Sequence, residues 1–367
     1  MATKSRVVES SFRLGAGRYI QEDGAISRIG EEIERLGKRT PFILGSKTAI
    51  KITKELIDRS LAERNMQGFY YTYEGFCNTP HCERIVESEE FKACDIVIGL
   101  GGGNMMDAAK LCAALANKFV INVPTSSATC AAYTPLSVTY NEKGQKVKTV
   151  HHAVEVNTVL VDMDIICRQP VRFLVAGVYD ALAKTPELNQ RILGKSEDDI
   201  DIGLRSSYVM SKFIYDRMLE DVQQAVEDTK AQSSSKALYD LVYLAIAVTG
   251  VISGLARGSN QCAIAHEIYA VSRFLYPEIV YPALHGELVA IGLICQLAYN
   301  GEREEAVNEF SAQMKSFGMP ISLSDVGINT DDECMEAFYQ KLVNSNAMAG
   351  TTDAEQARLK KVLNLIK

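Results

Sequence analysis

Apolar and polar positions follow two different rhythms along this chain. In the first half, short apolar runs alternate with stretches of helical spacing. Residues 40–45 (TPFILG), 69–73, 95–100 and 119–123 read as buried strands. Between them, 26–36, 49–63, 80–90 and 104–117 carry apolar residues at helical spacing. Strands alternating with helices predict a parallel sheet with covering helices. The rhythm then changes. Residues 136–140 and 148–155 flank the turn Asn141-Glu142-Lys143-Gly144 and predict a β-hairpin. Residues 158–161 form one more strand. From about Pro170 the pattern is helical to the end. Its longest periodic stretches are 201–230 and 236–255, joined by the polar loop 232–235. The prediction is an α/β N-terminal domain over 1–167, followed by an all-α domain over 168–367.

Composition narrows the class. A chain of 367 residues with 47% hydrophobic residues can bury large cores. The net charge of −7, with Lys and Arg scattered, argues against nucleic acid as a partner. The longest uncharged apolar run, 241–256, is short for a membrane span and is expected to be a core helix. Residues 1–11 (MATKSRVVESS) lack the apolar core of a signal peptide. Nine cysteines without a C-x-x-C pair suit a reducing cytoplasm.

The most informative segment is residues 99–140. Gly101, Gly102 and Gly103 stand between a strand and a helix, where the backbone can approach a ligand closely. A helix N-terminus beside them favours an anion such as phosphate. Neither Gly-x-Gly-x-x-Gly nor Gly-Lys-Ser/Thr is present, which disfavours an ordinary Rossmann dehydrogenase and a P-loop ATPase. Histidine is scarce, with five in the chain. His81 lies in a loop, and His151 and His152 lie on the hairpin, facing opposite ways. His266 and His285 sit in the helical half, the second near a helix start. Joined by a carboxylate such as Asp180, at a helix start, these two imidazoles would give a catalytic site for Zn²⁺ or Fe²⁺ with an open position.

Three segments together carry a resemblance to a known family. Residues 101–110 (GGGNMMDAAK), Val123-Pro124-Thr125 and His285-Gly286-Glu287 resemble the iron-containing alcohol dehydrogenase superfamily, in order and over most of the chain. The glycerol dehydrogenases are the branch it is most similar to by these motifs. The resemblance implies the dehydroquinate synthase-like fold of that superfamily and a homo-oligomer. It implies NAD(P)(H) as cofactor, with the pyrophosphate on Gly101, Gly102, Gly103 and Asn104 and with Asp107 near it. Thr125, Ser126, Thr129, Leu136, Ser137 and Tyr140 match the loop that flanks the nicotinamide and pyrophosphate. Asp180, His266 and His285 match the ligands of one divalent metal, Zn²⁺ first and Fe²⁺ or Mn²⁺ after it. Such a metal lowers the pKa of a substrate hydroxyl, and hydride passes to C4 of the nicotinamide.

Three departures refine the expectation. Glycerol dehydrogenases have an aspartate where this loop has Cys130. A neutral thiol there no longer repels a carboxylate. Residues 128–141 (ATCAAYTPLSVTYN) look more like the hydroxycarboxylate dehydrogenases. The leading expectation is therefore a dehydrogenase of a small 2-hydroxy or 2-oxo acid, with glycerol or another polyol as the alternative. A lyase of the dehydroquinate synthase type and a metal-free cofactor-binding protein rank below these. After the strand at 40–45, Lys47 stands where a carboxylate would exclude a 2′-phosphate, so NADP(H) is expected to be accepted. Tyr179 replaces a glycine beside Asp180, and Pro186 follows closely, which predicts a short or kinked helix there.

Overall fold

The computed structural model describes residues 13–257 and 261–367. The expectation for residues 1–11 lies outside them. Six parallel strands form the sheet, in the order β1-β8-β5-β4-β2-β3. They are β1 (Tyr19–Glu22), β2 (Pro41–Gly45), β3 (Phe69–Thr72), β4 (Ile96–Gly101), β5 (Phe119–Pro124) and β8 (Thr158–Asp162). The hairpin of β6 (Leu136–Tyr140) and β7 (Lys146–His151) stands apart as an antiparallel pair. β2, β4 and β8 are buried along their whole length, as strands covered by helices on both faces must be.

Alternation along the strands builds two cores. Ile96, Ile98 and Leu100 join Ile43, Ile121 and Leu160 in a smaller core under helices Ile29–Arg35 and Lys47–Ala62. Val97, Phe42, Leu44, Val120 and Val159 point the other way, into a larger core that runs on into the helical half. Helix Gly103–Leu115 covers this second face at close range. A Cβ on Gly99 would lie 2.7 Å from both Ala109 Cβ and Asn122 Oδ1. Chain order places a switch between β2 and β4: β2 leads outward to β3, whereas β4 leads the other way to β5. In open parallel sheets, ligands bind at such a crevice beyond the strand ends.

Beyond the sheet the chain is helical, as the spacing predicts, with several differences. β1 has no counterpart in the sequence reading. The stretch 80–90 is two helices, Thr79–Val86 and Glu89–Ala93, because Ser88 caps the second by accepting from Phe91 N at 3.2 Å. β7 ends at His151, so His152 lies just past the hairpin. The stretch Lys236–Leu255 is long and apolar enough to cross a membrane, yet 67% of its apolar window is buried. It packs on helix Ile202–Ala231 and widens into a π turn at Leu244–Val248, where Thr249 Oγ1 donates to Leu244 O. All nine cysteines are free thiols, six of them buried.

Candidate active site

A cavity of about 640 Å³ opens between the C-terminal edge of the sheet and the helical half. Its sheet side is the glycine turn. Gly101 ends β4 with φ +139°, a region that L side chains rarely adopt. A Cβ on Gly103 would lie 2.9 Å from Thr129 Oγ1. The helix that starts at Gly103 has no side-chain cap on Gly102, so its first amides stay available to a ligand. Ser46, at the end of β2, shares the cavity wall with Gly102, Gly103 and Asn104. The turn therefore sits at the switch point and offers a cradle that a side chain would fill.

The Ser/Thr loop forms the next wall. Ser126, Thr129, Cys130, Leu136 and Tyr140 line the cavity; Gly101, Thr125, Ser137 and Lys47 do not. Thr125 N donates to Gly101 O at 3.0 Å, which ties the loop to the turn. Ser137 Oγ donates to Asp107 O at 2.8 Å and lies 2.8 Å from His152 Nε2. Asp107 touches the wall, but its carboxylate is engaged by Lys110 at 2.9 Å and by Val138 N at 3.1 Å. Lys110 Nζ also donates to the carbonyls of Ala131, Thr134 and Leu136. The buried Asp107–Lys110 pair thus braces the loop from beneath.

On the helical side, Asp180, His266 and His285 converge. Their ligand atoms all lie within 4.8 Å of one another. Asp180 stands near the C-terminal end of helix Val171–Leu182, rather than at a helix start. Gly177, one turn earlier, lets the loop rest on this helix: a Cβ there would be 1.9 Å from Ser127 O. Pro186 causes no break in a helix interior, because a new helix begins at Lys184 and holds it in the first turn. Tyr179 points away from the site, against Phe310, and its hydroxyl donates to Gln313 Oε1 at 3.2 Å. Neither departure disturbs the aspartate. His285 opens helix His285–Asn300. Glu287 fixes that helix start by accepting from Leu284 N at 2.7 Å and by a two-point pair with Arg172. Gly286 brings the helix onto Ala176, whose carbonyl oxygen a Cβ would meet at 2.0 Å.

The polarity of this cluster points to a cation. Both His266 Nε2 and His285 Nε2 lie 3.3 Å from Asp180 Oδ1. That oxygen is buried and has no hydrogen-bond donor. His266 Nδ1 is 2.6 Å from Glu187 Oε2, so its proton belongs on that side. Nε2 then presents a lone pair to a carboxylate oxygen, acceptor against acceptor. A metal ion resolves this conflict, and a proton does so in its absence. Burial works against a charged His266, but Glu187 outweighs it and raises its pKa to about 10. Burial also opposes the Asp180 carboxylate, yet His285 and His266 hold its pKa well below the usual range. Burial lowers the pKa of His285. The donor set of two imidazoles and one carboxylate, with a carboxylate behind one imidazole, fits a divalent metal.

Four further residues of the site escape the sequence reading. Glu187 is fully buried and also accepts from Ala263 N and His266 N, at 2.8 and 2.9 Å. Lys184 lines the cavity at 4% exposure. Tyr269 pairs with Tyr140, hydroxyl to hydroxyl at 2.7 Å, and packs edge-on against His285. Arg273 lies over the Phe76 ring and donates to Ala283 O. No local motif marks them; the offset of seven from Asp180 to Glu187 gains meaning only once a helix break separates them.

The matches to known proteins agree with this geometry. Residues 16–163 match the family model for iron-containing alcohol dehydrogenase. A glycerol dehydrogenase of Thermotoga maritima is 29% identical over 344 residues, 90% of this chain and 89% of that protein. Hydroxycarboxylate dehydrogenase A of Escherichia coli is 30% identical over 264 residues, 71% of this chain and 70% of that protein. A glycolaldehyde reductase of Halobacterium salinarum is 27% identical, covering 86% and 85%. Among solved structures, a probable glycerol dehydrogenase from Sinorhizobium meliloti shares the fold, with TM-score 0.80, 23% identity and 97% of each chain covered. A parallel glycine-turn sheet facing an Asp–His–His cluster, on a chain similar to these dehydrogenases and reductases, leads to one assignment: this protein belongs to the iron-containing alcohol dehydrogenase family and is an oxidoreductase of the alcohol dehydrogenase type.

Proposed function

We propose that this protein is a metal-assisted, nicotinamide-linked dehydrogenase of a small alcohol that carries a second oxygen function beside the reacting carbon. The observation that carries the reading is the orphaned Asp180 Oδ1, faced by two imidazole nitrogens in the same cavity as the glycine turn. Asp180, His266 and His285 would hold the metal, Zn²⁺ by its preference for nitrogen and oxygen donors with an open position. Gly102, Gly103, Asn104, Ser126, Thr129 and Tyr140 would hold the dinucleotide. The domain division at 167/168, the cytoplasmic setting and a homo-oligomer belong to the same reading.

When bound, the metal supplies Lewis acidity to a substrate oxygen and the nicotinamide supplies the hydride acceptor or donor. The chain's own residues do the rest. Glu187 keeps the His266 proton on Nδ1 and its Nε2 lone pair free. The Asp107–Lys110 brace holds the Ser/Thr loop against the cofactor side. Apolar walls from Phe173, Leu136 and Val138 exclude water from the reacting centre.

Two substrates fit the reaction. The names of the relatives support a polyol of the glycerol type ahead of the hydroxy acid that the sequence favours. A 2-hydroxy acid is favoured by one observation, the neutral Cys130 and cationic Lys184 on the cavity wall. The test is a spectrophotometric panel of glycerol, small diols, 2-hydroxybutyrate and 2-oxobutyrate with NAD(H) and NADP(H), with and without added Zn²⁺. Turnover that needs the metal and a nicotinamide supports the reading. Activity that survives chelation, in protein holding no divalent metal, overturns it.

A further inference from the structure

We propose that Lys184 anchors an anionic group of the substrate, so that the site takes the carboxylate of a 2-hydroxy or 2-oxo acid. This rests on the metal and nicotinamide reading above and deepens it by choosing between its two substrates. Lys184 opens helix Lys184–Ile192, four residues after Asp180, on the wall of the cavity that His266 and His285 share. Its ammonium group has no hydrogen bond or ion pair among the described residues. The neighbouring carboxylates make no direct bond to it: Asp180 is turned towards the two imidazoles, and Glu187 accepts from His266 and from two backbone amides. Two other cations lie on the wall. Arg273 stacks over Phe76 and donates to Ala283 O through Nη2, while its Nε and Nη1 are buried without a partner among the described residues; Lys146 is exposed to water. Of the other wall carboxylates, Asp107 is paired with Lys110, and the charge of Lys146 is the main one acting on Glu267.

Against burial, Asp180 and Glu187 keep this ammonium charged from a distance, but no oxygen among the described residues contacts it directly; a bound carboxylate supplies a charge-assisted hydrogen bond that a neutral polyol matches only weakly. The surroundings favour the same class. Cys130 interacts with Lys184 and stays a neutral thiol, because burial pushes its pKa up to about 11. Ser253 and Gln261 lie on the same wall, joined at 3.1 Å, and the Gln261 amide nitrogen has no acceptor among the described residues. One cation and one amide donor beside the metal ligands suit a carboxylate attached to the reacting carbon.

The test is calorimetric titration of the zinc-loaded protein with 2-hydroxybutyrate and with 1,2-butanediol. The two ligands differ in a carboxylate against a hydroxymethyl group. We expect the wild type to bind the acid at least tenfold more tightly than the diol. Lys184→Met should weaken the acid roughly a hundredfold and the diol less than threefold. Lys184→Arg should retain the preference for the acid. The same split should appear in KM for 2-oxobutyrate. Equal binding of acid and diol by the wild type overturns the proposal, as does an equal loss of both in Lys184→Met. Should Lys184→Met fail to fold by circular dichroism, the wild-type comparison still decides. A diol turned over in preference to every acid refutes the anchor and leaves the dehydrogenase intact. Metal-independent turnover refutes the metal reading and leaves the ligand comparison to be judged separately.

Discussion

Replacing Glu187 by Gln tests the centre without touching a proposed metal ligand. The variant is isosteric, so it should fold. Glu187 Oε1 takes backbone bonds from Ala263 and His266, which a glutamine carbonyl can keep. The other position is the one that changes. An amide NH₂ would then face His266 Nδ1 at the 2.6 Å separation now held by Oε2. Two donors cannot meet there, so the imidazole must move its proton to Nε2 or turn away. Either response removes the lone pair that points towards Asp180. Loss of such a partner behind a metal-binding histidine costs 10–100-fold in affinity, about 1.4–2.8 kcal/mol. The assay is competition for Zn²⁺ against a chromophoric chelator at constant pH, with circular dichroism to confirm the fold. A Zn²⁺ affinity within twofold of wild type, in a folded variant, refutes this account of the centre.

Three other expectations follow from separate parts of the molecule. Gly286→Ala places a methyl group 2.0 Å from the Ala176 carbonyl oxygen, so it should cost about 3 kcal/mol and also weaken Zn²⁺ binding; wild-type melting and affinity would contradict this. His152 is the clearest pH sensor of stability. Burial lowers its pKa from 6.5 to about 4, so its stabilising effect is complete above pH 6.5 and is lost as pH falls through about 4. His152→Gln should flatten that part of the stability curve, by up to about 3 kcal/mol; parallel curves for the two proteins would rule it out. Lys47 is exposed in the first turn of the helix after β2, where no carboxylate opposes a 2′-phosphate. NADPH should therefore be accepted, and Lys47→Ala should lower kcat/KM about tenfold for NADPH and less than twofold for NADH. A strong NADH preference unchanged in the variant would exclude the idea.

Where structure is decided locally, the sequence is a good guide. The strands β2, β4, β5 and β8 are legible because burial on both faces makes them continuous apolar runs. The hairpin turn is legible because Asn141 and Gly144 supply its chemistry, with Gly144 at φ +77°. β1 is missed because four residues on a sheet edge, half of them polar, have no period to detect. Site residues divide in the same way. The glycine turn announces itself, whereas Lys184, Glu187 and Arg273 acquire their surroundings only when three helices cross. Asp180 and the two histidines could be grouped from residue type, but their convergence needed the resemblance first and the packing afterwards.

That packing changes how two of the motifs are understood. Gly-x-x-Asp at 177–180 and His-Gly-Glu at 285–287 look like ligand motifs, yet only one residue of each faces the centre. The glycines are there for backbone contact. Gly177 admits the Ser127 carbonyl of the Ser/Thr loop, and Gly286 admits the Ala176 carbonyl of the aspartate helix. A chain of close contacts thus runs from the Ser/Thr loop, through helix Val171–Leu182, to the helix that begins at His285. Any side chain at either glycine would push the loop or the histidine helix outward, with little room to relax because the obstacle is backbone. The distance between the Ser/Thr loop and the Asp180–His266–His285 cluster is therefore set by two absent side chains, while Glu187, Glu287 and Arg172 fix the orientation of what those contacts bring together.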